Sequence, residues 1–126
     1  MSLPTNMYFA PGKLFQHLPG QLSAATETLA ATRALTAADP SMLKLDPGGA
    51  ARDVTLDAEE NIPTTGLIRW IFNAADAAEN LVLKNDAGTT IATVNQNESA
   101  IVINDGVQDG TASAWTLYAV VAIALS

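Results

Sequence analysis

Four short runs between Gly66 and Asp105 restrict the fold of this chain more than any other feature. They are Gly66–Asn73, Asn80–Lys84, Thr90–Val94 and Ser99–Asn104. Each is 5 to 8 residues long, rich in Ile, Val, Leu, Thr and Trp, and bounded by Gly, Asn or Asp. Such runs are too short for helices and have the composition of β-strands. Asn85, Asp86 and Gly88 lie between the second and third runs, and these residue types suit the left-handed positions of a tight hairpin.

Alternation divides each strand into two faces. In Gly66–Asn73 one face carries Ile68, Trp70 and Phe72, expected to form the heart of the core, and the other carries Leu67, Arg69 and Ile71. The last strand is expected to start near Ala114 and run toward Ile123. It places Trp115, Leu117, Ala119, Val121 and Ile123 on one face, with Trp115 in the core. Thr116, Tyr118, Val120, Ala122 and Ala124 form the other face, which is nearly as apolar. A strand apolar on both faces is buried on both. In a small antiparallel domain the second face meets another subunit, so Thr116, Tyr118 and Val120 are expected at a subunit interface.

Upstream, residues 27–36 alternate Leu29, Ala31, Arg33 and Leu35 with Thr28, Ala30, Thr32 and Ala34, and read as one strand. Residues 38–41 form a turn. Met42–Leu45 and Arg52–Leu56 are short strands separated by the Asp46-Pro47-Gly48-Gly49 turn. Asp57–Thr65 is a loop, and residues 74–79 are a small-residue connection with room for one helical turn. About eight short strands imply an all-β fold: an antiparallel β-sandwich or jelly-roll-like barrel over residues 27–126.

Residues 1–26 are different. Pro4, Pro11-Gly12 and Pro19-Gly20 punctuate them, yet they carry Leu3, Met7, Tyr8, Phe9, Leu14, Phe15 and Leu18. An arm so apolar needs a surface to lie on. It either folds back over its own domain or extends onto a partner, and the Pro-Gly breaks favour extension.

Charge excludes several function classes. The chain has a net charge of -7, and all 13 acids lie in residues 27–126, which hold five bases; Lys13 is the arm's single charged residue. A body this acidic argues against nucleic-acid binding. With no cysteine there is no disulfide, thiolate nucleophile or Cys-based zinc site. The apolar run Ala114–Leu125 is too short to span a bilayer, which takes about 20 residues, so no membrane partner is expected. Charged residues are only 15% of the chain, which suits faces buried against neighbours.

Candidate chemistry is sparse. Asp39, Asp46, Asp53 and Asp57 fall near strand ends, where turn formation is the commoner role of Asp, so no catalytic residue is expected. Loop 104–110 offers oxygen atoms but lacks the alternating pattern of an EF-hand, and no metal or other cofactor is expected. His17 is the single histidine and has no histidine partner for a metal site. Trp115 and Tyr118 fall on opposite faces by parity and so form no joint sugar platform.

The segments Arg33–Asp39, Leu43–Pro47, Ala51–Leu56, Gly66–Asn73, Leu81–Asn85 and Thr90–Val94, closed by Asp105-Gly106 and Trp115, resemble a β-domain of tailed-phage structural proteins. Such domains occur in capsid decoration (cement) proteins, head fibres and tail-fibre modules, frequently as trimers. The resemblance implies a homotrimer on the capsid surface of a virion, synthesised in the host cytoplasm, with the major capsid protein as partner. It also implies an arm whose Leu3, Tyr8, Phe9, Lys13 and Phe15 contact the shell. The alternative is a head-fibre or tail-associated module that binds a host-surface glycan. No catalytic residue comes with the resemblance.

Overall fold

The computed structural model describes residues 25–109 and 112–123. Nine strands follow in order: β1 (Glu27–Thr28), β2 (Arg33–Ala34), β3 (Met42–Asp46), β4 (Arg52–Thr55), β5 (Leu67–Asn73), β6 (Leu81–Lys84), β7 (Thr90–Val94), β8 (Glu98–Asn104) and β9 (Thr116–Ala122). A single 3-10 turn, Glu59–Asn61, interrupts the loop before β5. The fold is nearly all β and sandwich-like, built from two open sheets.

The order of strands is β1-β3-β5-β8-β9 in the first sheet and β2-β4-β6-β7 in the second. From β1 to β6 the chain passes to the other sheet after every strand. Strands two apart in sequence therefore become parallel neighbours: β1 with β3, β3 with β5, β2 with β4 and β4 with β6. Only β6–β7, β5–β8 and β8–β9 are antiparallel. This corrects the all-antiparallel pairing expected above. A parallel pair needs a crossover between its strands, and here a strand of the opposite sheet serves as that crossover in place of a helix.

The expected strand over 27–36 is likewise two strands, one in each sheet. Between and after them Leu29 and Leu35 turn inward to 5% and 3% exposure. The backbone continues each ladder by one bond, Leu29 N–H to Asp46 O at 2.8 Å and Leu35 N–H to Thr55 O at 2.9 Å.

The core lies between the sheets. Leu43, Leu45, Ile71, Ala100 and Val102 of the first sheet face Val54, Leu81, Leu83, Ala92 and Val94 of the second, and Trp115 closes one end. Asn73, fully buried, ties the layers together at the end of β5. Its Nδ2 donates to Val94 O at 2.9 Å and to Glu79 O at 2.7 Å, while Oδ1 accepts the Ala75 N–H at 2.9 Å. The β6–β7 hairpin forms as its residues predict: Asn85 Oδ1 accepts the Ala87 and Thr89 N–H groups, and Gly88 takes the left-handed φ of 90°.

Candidate functional site

The central strand is inverted relative to the sequence reading. In β5 the residues that face the core are Arg69, Ile71 and Asn73, whereas Ile68 is 51% exposed and Trp70 and Phe72 are half-buried. The assignment of Ile68, Trp70 and Phe72 to the heart of the core is therefore corrected: they lie on the outward face of the first sheet. Trp115 is buried, 7% exposed, within the core cluster.

The inversion follows from what the polar residues of β5 find inside. Arg69 is 1% exposed and Asp57 is fully buried. Arg69 Nε donates to Asp57 Oδ1 at 2.8 Å and Nη2 to Asp57 Oδ2 at 2.6 Å, a two-pronged pair. Nη1 donates to the carbonyls of Asp39 and Pro40, and Nη2 also to that of Thr36. All five guanidinium protons thus have acceptors. A buried charge survives when it is paired and fully hydrogen-bonded, and this one pins β5 to the 36–40 and 57–62 connections.

The register shows what shares the outward face. Ile68 lies opposite Ile103, Trp70 opposite Ile101 and Phe72 opposite Ser99. On the other side Met42 pairs with Trp70 and Lys44 with Phe72. Beyond β8, Ser99 meets Val121 and Ile101 meets Ala119. The result is a mainly apolar face with a stacked aromatic pair at its centre, Trp70 and Phe72, whose ring centroids are 5.1 Å apart at 22°. Trp70 uses its indole N–H on Ser99 Oγ at 2.8 Å, so the pair presents apolar area more than hydrogen-bonding capacity.

Beside this face, β9 ends the sheet. Its seven residues carry no charge, and six of them are exposed. Val120 and Leu117 lie opposite the buried Ala100 and Val102, yet remain 41% and 39% exposed because the core ends beneath β8. Between Leu117 and Ala119 the register slips by one residue, so Tyr118 sits in a bulge, 71% exposed. Thr116, Tyr118 and Val120, expected together on one face at a subunit interface, are all exposed, but the bulge separates them: Thr116 lies opposite Ile103 of the outward face and Val120 opposite the inward Ala100.

The carboxylates near strand ends are occupied structurally. Asp57 holds Arg69, Asp53 accepts Lys84 Nζ at 2.9 Å, and Asp39 takes a two-pronged contact from Arg33, which also reaches Glu27. Burial pushes the Asp39 carboxyl up, but hydrogen bonds from Arg33 and the Thr36 N–H, with the charges of Arg33 and Arg69, bring it below its ordinary value. Hydrogen bonds to the Asp39 and Glu27 carboxylates hold Arg33 more firmly protonated than usual.

Asp46 caps a turn through the Gly48 N–H and approaches Asp76 and Glu79, with carboxylate oxygens within 4.8 Å of one another. Glu79 Oε1 is buried there without a hydrogen-bond partner. In loop 104–110, Asn104 and Asp105 direct side-chain oxygens at the N–H groups of Gly106 and Val107, which is turn formation. Leu3, Tyr8, Phe9, Lys13, Phe15 and His17 lie outside the described residues.

No protein-family model, curated protein or solved structure matches this chain.

The assignment of function therefore rests on the surfaces themselves. Nothing in the sequence reading pointed to Arg69–Asp57 as a pair or to the outward orientation of Trp70. The signal available for the former was a lone Arg in the most apolar strand, with Asp57 twelve residues earlier.

Proposed function

We propose that the protein is a structural assembly protein: a capsid decoration (cement) protein that binds the outer surface of a phage head as a homotrimer and stabilises it. The observation that carries this reading is β9. It is a seven-residue, uncharged, mainly apolar strand at the end of its sheet, without the charges or proline that usually guard such an edge and with the bulge at Tyr118 as its one interruption. A closed ring of subunits buries an edge of this kind without leaving a free one, because a head-to-tail contact that closes is self-limiting. The bulge at Tyr118 also turns its side chain out of the ladder, where it can meet a neighbouring subunit.

The resemblance to phage β-domains supplies the virion context and the major capsid protein as partner. The acidic body and the structural use of Asp39, Asp53 and Asp57 agree with an assembly role. The spent indole N–H of Trp70 favours apolar docking over a glycan subsite.

Light scattering on a sizing column tests the assembly step. The expected mass is about three times the 13.1 kDa chain, and a monomer overturns the reading. Co-sedimentation with heads built from the major capsid protein then tests the partner; a trimer that stays in the supernatant removes the capsid assignment.

A further inference from the structure

We infer that the outward face of the first sheet, centred on Trp70 and Phe72, is the seat of the chain's own residues 1–24. This assigns the arm to its own sheet in place of the shell contact implied by the resemblance. It rests on the fold and the sequence of the segment, and holds whether or not the protein belongs to a virion.

Four observations converge on that occupant. The first is area. Four strands of five to seven residues, with the two-residue β1 beside them, lie about 4.8 Å apart and make a face on the order of 400 Å². That is patch-sized, about half of the roughly 800 Å² each partner contributes to a standard protein interface, and suited to a single stretch of chain. The second is the point of entry. Residue 25 leads directly into β1, which is an edge strand of this same sheet, with β5 two strands away, about 10 Å. The third is reach. Twenty-four residues extend up to about 80 Å, several times the width of the sheet.

The fourth is chemical match. Met42, Ile68, Trp70 and Ile101 need apolar cover, and the segment brings Tyr8, Phe9 and Phe15 within a short span. It carries a single charge, Lys13, so little of the segment resists burial against an apolar face.

Acrylamide quenching of tryptophan fluorescence in the full chain tests this, because Trp115 is buried in the core and Trp70 reports the outward face. In the unaltered chain Trp70 is expected to be shielded. The full-length variant Tyr8→Ser/Phe9→Ser/Phe15→Ser is expected to raise its quenching constant about threefold while the circular dichroism of the sheets is unchanged. A Trp70 already open to quencher, or one indifferent to the triple substitution, overturns the proposal.

The source of the segment is read separately. The chain has no cysteine, so Ala10→Cys with Lys44→Cys creates one addressable pair, to be joined by a flexible bismaleimide. The expected product has the mass of one cross-linked chain. A ladder of linked chains means that the segment comes from a second copy and overturns the same-chain assignment, as does shielding of Trp70 that disappears on dilution.

Discussion

Among the described residues Asp57 and Arg69 form the most deeply buried ion pair, two opposite charges removed from water with nearly every polar atom matched. Removing one partner leaves the other buried and unpaired, so Asp57→Asn or Arg69→Met is expected to cost about 3–5 kcal/mol. Replacing both with apolar residues of similar volume is expected to cost much less than the sum. Urea denaturation of the two single variants and the double variant measures this directly. The Asp39–Arg33 pair is more exposed and acts through pH. The folded Asp39 carboxyl titrates below its unfolded value, so its contribution is fully present above about pH 4 and is lost as pH falls through the folded value. The difference in urea midpoint between the parent chain and Asp39→Asn is therefore expected to shrink between pH 5 and pH 2.

At the scale of elements, the connections are as exacting as the strands. Gly106 has φ 83°, and a Cβ there would lie 2.5 Å from Pro63 O and 2.7 Å from Thr64 O. Gly106→Ala meets both a strained backbone and backbone atoms that cannot retreat, and is expected to destabilise by more than ~1 kcal/mol, the usual limit of the conformational effect alone. Gly88, with φ 90° and open space around it, suffers only the conformational part. The β9 edge obeys a different rule. Tyr118→Lys with Val120→Lys places two charges on an edge that otherwise has none, the device by which solitary sheets avoid pairing. This variant is expected to run as a folded monomer, with its β circular dichroism retained and its scattering mass reduced to one chain.

The whole molecule is wound rather than folded in hairpins. Between β1 and β6 each ladder joins strands separated by an intervening strand of the other sheet, and β5 waits for β8 across the entire β6–β7 hairpin. Loop closure must precede most of the contacts that reward it, which slows folding. Refolding from urea is expected in milliseconds to seconds by stopped-flow fluorescence, as for other folds dominated by non-local pairing. The same winding sends the two faces of the first sheet to different fates. One meets the second sheet, and the other, with Ile68, Trp70 and Phe72, faces outward.

Much of this architecture is legible in the amino-acid order. The strands from residue 42 onward, the Asn85–Gly88 hairpin and the apolar edge at 116–122 follow from period-two alternation and turn chemistry, which act over a few residues. Alternation also separates Ile68, Trp70 and Phe72 from Arg69, Ile71 and Asn73. It cannot say which set faces inward. Hydrophobicity alone picks the aromatic set, and the tertiary structure picks the other. Arg69 finds five acceptors and Asn73 three partners only when the connections at 36–40, 57 and 75–79 have closed around them. Parallel pairing was equally hidden, because it depends on which sheet each connection crosses to. Local sequence determined where strands form and where they turn, while long-range satisfaction of buried polar groups decided which face became the core.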